Sequence, residues 1–159
     1  METNTRMRIL GVDPGTTKSA YVLYDTESPL PIVDFGLVDN YALIPIISSL
    51  QYEKLVIEMI SSYGMKVGNT VFQTCVWIGR FIQTACYCNK PWETISRVTI
   101  KTQVCGTPRS NDAGVRAALI YKFGEPGTKK NPGGTYGITK DVWSSLAVCV
   151  AWSKLNAEK

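Results

Sequence analysis

There is no histidine anywhere in this sequence, and that absence removes more chemistry than any motif supplies. Ser-His-Asp and Cys-His nucleophile systems are excluded and an ordinary zinc site is not expected, so an enzyme built on this chain must work with carboxylates, lysines, hydroxyls or a hard metal ion. Cysteine is present but unhelpful for a framework. The five residues Cys75, Cys86, Cys88, Cys105 and Cys149 are odd in number, form no C-x-x-C pair and stand mostly among apolar neighbours. They read as small core groups in a reducing compartment. Long apolar runs are missing too, and the first ten residues hold no apolar signal core. The expectation is a cytoplasmic chain with no membrane contact. Charge is modest, with 19% charged and 45% hydrophobic residues over 159 positions. That composition fits one compact domain spanning residues 1–159, with Met1 to Thr5 as a frayed start.

What is present is unevenly placed. Residues 97–140 carry eight basic groups (Arg97, Lys101, Arg109, Arg116, Lys122, Lys129, Lys130 and Lys140) against Asp112 and Glu125, a local charge of +6, while the rest of the chain carries −2. Such a region is either a polyanion-binding face or a solvated surface of cations.

The chain is organised around RILGVDPGTT. Ile9, Leu10 and Val12 form a short apolar run that predicts a buried strand, and Pro14-Gly15 ends it, with glycine expected to take a positive φ in the turn. Asp13 is thereby left at the mouth of a core strand. There it requires hydrogen bonds, a cation or a metal, or it caps the local backbone as an Asx turn. Ser19 to Tyr24 and Ile32 to Val38 extend the first strand into an antiparallel meander. Asn40 is expected to cap a helix over Tyr41 to Leu50 that Pro45 kinks or delays. Leu55 to Ile57 then repeats the pattern of Asp13 by ending at Glu58. A strand that follows a helix is most simply parallel to an earlier neighbour, which places Asp13 and Glu58 at the same sheet edge.

SSYGMKVGNT at 61–70 is a polar loop able to touch a ligand. Val71 to Tyr87 has helical apolar spacing with a second stripe at Trp77 and Phe81, a face wide enough for the sheet and a partner subunit, or for core packing alone. Trp92 to Ser96 reads as a fifth strand, followed by a polar, basic stretch and a loop at Gly106, Thr107 and Pro108. Ser110, Asn111 and Asp112 start a helix that runs to Gly124, with Asp112 as a first-turn acid or a fourth catalytic acid. GEPGTKKNPGGTYG at 124–137 is a glycine-rich loop, mobile unless a ligand orders it. The last helix is expected from Thr139 to Leu155. It places Asp141 and Ser144 on one face, and Val142, Leu146 and Val150 on another that docks on the sheet.

GVDPGTTKSAYVL, LVIEMISSYGM, RVTIKTQVCGTPRSNDAGVRAALIYKFG and TKDVWSSLAVCVAW together resemble a RuvC-type Holliday junction resolvase, most closely the phage-encoded members. The resemblance implies an RNase H-like fold, a mixed five-stranded sheet with helices on both faces. It also implies a homodimer acting on branched or four-way junction DNA, in the host cytoplasm if phage-encoded. By the same resemblance the catalytic acids are Asp13, Glu58 and Asp141, with Ser144 where the family commonly has a fourth acid. Either three carboxylates suffice, or Ser144, Asp112 or water fills the gap in the metal shell. Lys101 matches the family's DNA-contacting position. Arg109, Arg116, Lys129, Lys130, Lys66 and Tyr63 are further DNA-binding candidates; the family's aromatic wedge has no aligned counterpart here, and Tyr63 and Met65 in the loop after Glu58 are the candidates for it.

The chemistry agrees with the residue types. Phosphodiester hydrolysis needs a nucleophilic water and charge stabilisation, which two divalent ions about 3.5–4 Å apart supply. Hard carboxylate oxygens suit Mg²⁺ or Mn²⁺, and crowded carboxylates predict raised pKa values. Three alternatives remain at this stage. One is an RNase H-like nuclease on another nucleic acid; another is a non-catalytic DNA-binding module. The third is an actin-type phosphate-loop ATP-binding domain, which 159 residues leave without a second lobe.

Overall fold

A computed structural model describes residues 6–157 and Lys159. The frayed start expected at Met1 to Thr5 lies outside the described residues.

Five strands form one sheet: β1 (Arg8–Asp13), β2 (Lys18–Asp25), β3 (Ile32–Asp39), β4 (Lys54–Met59) and β5 (Trp92–Ser96). Their order is β3-β2-β1-β4-β5. The meander β1-β2-β3 is antiparallel, and β1-β4 and β4-β5 are parallel. The expected mixed sheet is therefore present, with β1 at its centre and β4 beside it.

Alternation along the strands divides the core in two. Leu10, Val12, Leu55 and Ile57 face α1 (Asn40–Ser49) and α2 (Asn69–Tyr87), where Leu43, Ile47, Ile78 and Phe81 complete one buried layer. Ile9, Val56 and Ile95 face the opposite way, toward α3 (Arg97–Cys105), α4 (Asp112–Phe123) and α5 (Val142–Ala157). With a side-chain period of two, Gly11 and Asp13 share the face of Ile9, and Glu58 shares the face of Val56. Both acids therefore point to the α5 side. Gly11 is glycine because a Cβ there would come within 2.4 Å of Cys149 Sγ and 2.8 Å of the Ser145 carbonyl oxygen. The central strand and α5 touch backbone to backbone.

Several elements differ from the sequence expectation. The cap of α1 is Asp39, whose side chain accepts from Tyr41 N, and the helix runs through Pro45. Asn40 is instead fully buried and bonds elsewhere. Gly15 does not have a positive φ. It is required for close approach, since a Cβ there would meet the Lys18 carbonyl oxygen at 2.2 Å. Glu58 lies inside β4 rather than ending it. Arg97–Cys105, a polar, basic stretch for which the sequence predicts no element, is a helix capped by Ser96 and stopped by Gly106 at φ 77°. The last helix starts at Val142, later than expected, and is buried on nearly every side from Val142 to Trp152 rather than along one stripe. It fills the space between the sheet, α3 and α4, so it has no solvated face over that length. The 124–137 loop closes on itself. Thr128 N donates to Asn131 O, Gly133 N to Pro126 O, and Thr135 Oγ1 to Gly124 O, so internal bonds hold it without a ligand.

Candidate active site

The site forms at the carboxyl ends of β1 and β4. Val12 pairs with Ile57, so Asp13 and Glu58 follow one another across adjacent parallel strands. Four hydrogen bonds fix the end of β1 and the turn after it. Asp13 N donates to Ser145 Oγ at 3.1 Å, which ties the strand to the first turn of α5. Behind the Asp13 turn, Gly15 N donates to Ser19 Oγ at 3.1 Å, and Ser19 Oγ donates to Asn40 Oδ1 at 2.6 Å. Asn40 Nδ2 closes the ring by donating to Gly15 O at 2.9 Å. Ser19, Asn40 and Ser145 are all buried, so these bonds are shielded from competing water.

Asp141 stands immediately before α5, and its carbonyl accepts the first helical bond, from Ser145 N. Its side chain is on the exposed lip of the site. Ser144, one turn on, is half-buried and lines the narrow cavity that Glu58, Arg97, Lys101 and Asp112 also line. Asp112 is the first-turn acid of α4, as expected, but it is also engaged by Arg97.

Burial pushes the Asp13 carboxyl up to about 8, with repulsion from Glu58 and Asp141 adding to the rise and Arg97 opposing it. Arg97 Nη1 donates to Glu58 Oε1 at 3.2 Å, and its Nη2 pairs with Asp112 Oδ1. Burial works against the charge on Arg97, yet Glu58 and Asp112 outweigh it and raise its pKa above the ordinary value. Sequence reasoning counted Arg97 only within the basic stretch. Its position directly after β5, parallel to β4, was the available signal, because the ends of parallel neighbours share one sheet edge.

The three-carboxylate set is assembled only in part. Asp13 and Glu58 adjoin, whereas Asp141 reaches Asp13 by charge from the lip. Among the described residues no three acids or thiols stand together as a ready cation cage. The donor set still fits a hard cation: its atoms are carboxylate oxygens, and the raised Asp13 carboxyl marks a place where an added positive charge relieves repulsion.

The remaining candidates are spread around this centre. Lys101 lines the same cavity as Glu58. Arg116 stacks over Trp143, 5.2 Å from the ring centroid, and lines the neighbouring cavity with Asp112, Asp141 and Ser144. Arg109 is exposed between α3 and α4. Tyr63 and Lys66 are exposed in the loop after β4, where Tyr63 has φ 50° and Met65 is also exposed. Lys129 and Lys130 are exposed in the 124–137 loop and line none of these cavities.

No known protein-family model matches this chain, and no curated protein matches it significantly in sequence. Solved structures do. The Thermus thermophilus RuvC structure aligns over 96% of this chain and 96% of its own, with a TM-score of 0.71 and 12% identity. T. thermophilus RuvC in complex with Holliday junction substrate aligns over 94% and 96%, with a TM-score of 0.72 and 11% identity. At that identity the likeness is one of fold, and it places this chain's architecture with the RuvC-like, RNase H-like sheets.

Proposed function

We propose that this chain is a single-domain, divalent-cation-dependent endonuclease that hydrolyses phosphodiester bonds in branched DNA, with the four-way junction as its substrate. The observation that carries the reading is the meeting of Asp13 and Glu58 on adjacent strands beneath α5, on a fold shared with a protein solved in complex with Holliday junction substrate. Asp13 and Glu58 would hold Mg²⁺ or Mn²⁺, with Asp141 and Ser144 completing the shell. A bound pair of ions would supply charge neutralisation at the phosphate and an activated water.

The chain's own groups set the stage for that chemistry. Ile100, Val115 and Ala147 wall the cavity beside Glu58, which keeps bulk water from screening the acids. Ser145 and the Ser19-Asn40 pair hold Asp13 in place before substrate arrives. Lys101 and Arg116 on the rim would receive flanking phosphates, with Arg109, Lys66, Lys129 and Lys130 extending the contact. Tyr63 lies on the loop that would meet the branch point. On α2, Phe72 and Val76 are exposed beside the half-buried Trp77, an apolar surface suited to a second copy in a homodimer. A phage source rests on the sequence resemblance alone, since the solved structures this chain is similar to are from Thermus thermophilus.

The deciding experiment is cleavage of a synthetic four-way junction alongside linear duplex, single strand and RNA–DNA hybrid, with Mg²⁺, Mn²⁺ or chelator. Metal-dependent nicking that prefers the junction is expected. Asp13→Asn should abolish cleavage and leave junction binding nearly unchanged, because it removes a cation ligand while matching the neutral form that Asp13 takes in the metal-free site below about pH 8. Equal cleavage of all substrates would reduce the reading to a general RNase H-like nuclease, and cleavage retained in Asp13→Asn would remove Asp13 from the metal shell.

A further inference from the structure

The candidate site contains a cation of its own. Arg97 begins α3 directly after β5, and its guanidinium spans two acids, Glu58 on the neighbouring strand and Asp112 at the start of α4. Glu58 is 8% exposed, so few directions of approach to its carboxylate remain, and Arg97 occupies one of them. The cavity these residues share with Lys101 and Ser144 is only about 20 Å³, room for one water-sized occupant. The guanidinium holds Oε1 alone, so it and a divalent ion are alternatives for that oxygen of Glu58.

Resting on the nuclease reading above, we propose that Arg97 is a built-in counter-ion that competes with the metal for Glu58 and is released toward the substrate phosphate when the metal binds. Asp112 is what makes the exchange possible without losing the arginine. It is far more exposed than Glu58, with side-chain exposures of 81% and 10%, and it keeps one arm of the guanidinium while the other is freed. A planar fork of this kind suits a phosphate oxygen pair as well as a carboxylate. An anion that engages Arg97 lowers its hold on Glu58, and a cation on Glu58 frees Arg97 for the anion. Metal and phosphodiester binding are then positively linked, each raising the affinity of the other by the same factor. Arg97 acts as a positioning residue through Glu58 in the resting protein.

The test uses MnCl₂ alone as the probe and reads thermal stability rather than activity. In Arg97→Gln the midpoint of Mn²⁺-dependent stabilisation should fall about tenfold relative to wild type, the equivalent of one charge-assisted hydrogen bond of about 1.4 kcal/mol. The metal-free variant should melt lower than wild type, because Glu58 is then left without its partner. A midpoint that is unchanged or higher overturns the proposal. Wild-type crystals soaked in MnCl₂ give a reading that needs no variant. Manganese at Glu58 with the guanidinium displaced supports the exchange, and manganese bound with the Arg97-Glu58 pair intact overturns it. Wild type that binds no manganese while still cutting junctions overturns this inference alone, whereas wild type that neither binds manganese nor cuts overturns the nuclease reading as well.

Discussion

A carboxyl group that gives up its proton only near pH 8 makes the fold respond to pH in the opposite sense from most acids. Asp13 is protonated in the folded chain across a range where the unfolded chain has already ionised, from about pH 4 to about pH 8. The folded state binds more protons in that window, so stability falls as pH rises through it and levels off above. Asp25 works the other way. Its fully buried side chain is held down to about 2 by hydrogen bonds first from Arg6 and also from Glu27 N and Arg8. The stability it contributes is present above about pH 4 and is lost as pH falls toward 2. Thermal melts in chelator should therefore be highest near pH 4–5 and decline toward pH 8, and Asp13→Asn should remove the alkaline decline. A wild-type protein equally stable at pH 5 and pH 8 without metal would contradict the assignment. Adding Mg²⁺ should shrink the decline, since a cation favours the ionised acid.

At the level of elements, the contact between β1 and α5 controls where Asp13 stands. Gly11→Ala places a methyl against Cys149 Sγ and the Ser145 carbonyl, and one of those is backbone, so the helix must shift. A loss of about 1–3 kcal/mol in urea unfolding is expected. Ser145→Ala leaves the Asp13 N–H without its acceptor and should cost about 1 kcal/mol. If both substitutions proved neutral, the strand would not be anchored through this contact. Much of this architecture was legible in the chain. The apolar runs before Asp13 and Glu58 announced two central strands, and Trp92–Ser96 was readable at both ends. Helix α3 was missed because RVTIKTQVC is polar and β-branched and buries only Ile100 fully, although Ser96 and Gly106 were its start and stop signals. Helix α5 misled in the other direction: apolar on every side, it offers no period from which a single docking face can be read. Asp13 and Glu58 were singled out because apolar strands run up to them, and the structure brings these two together at one sheet edge. Arg97 was not singled out, since its partners are 39 and 15 residues away: Glu58 meets it through the parallel pairing of β4 and β5, and Asp112 from the first turn of α4.

For the whole molecule, the proposed nuclease would hold DNA at a definite distance from the acids. Lys101 and Arg116 lie at the cavities around Glu58 and Asp141, while Lys129 and Lys130 project from a loop that is closed by its own hydrogen bonds. A preformed loop engages DNA without the cost of ordering a flexible one. Converting Lys129 and Lys130 together to alanine should weaken junction binding and reduce the slope of log K against log salt by about 0.9 for each phosphate no longer neutralised. Titrations at several salt concentrations give that slope. If it does not change, these lysines are ordinary solvated charges, and the DNA footprint is confined to the α3 and α4 rim.

The close packing of α5 against Gly11 also gives the protein an internal chemical clock. Cys149 is fully buried there, with its Sγ donating to Val22 O at 3.6 Å and its thiol pushed up to about 12 by burial. Cys75 and Cys86 are exposed on α2 and should react with a thiol reagent at once. Cys149 can react only when the helix lifts from the central strand, two residues from Asp13, so its labelling rate counts those openings. A cation held at Asp13 ought to slow that one thiol and leave the surface pair unaffected, which turns a residue with no part in the chemistry into a gauge of how firmly the site is closed.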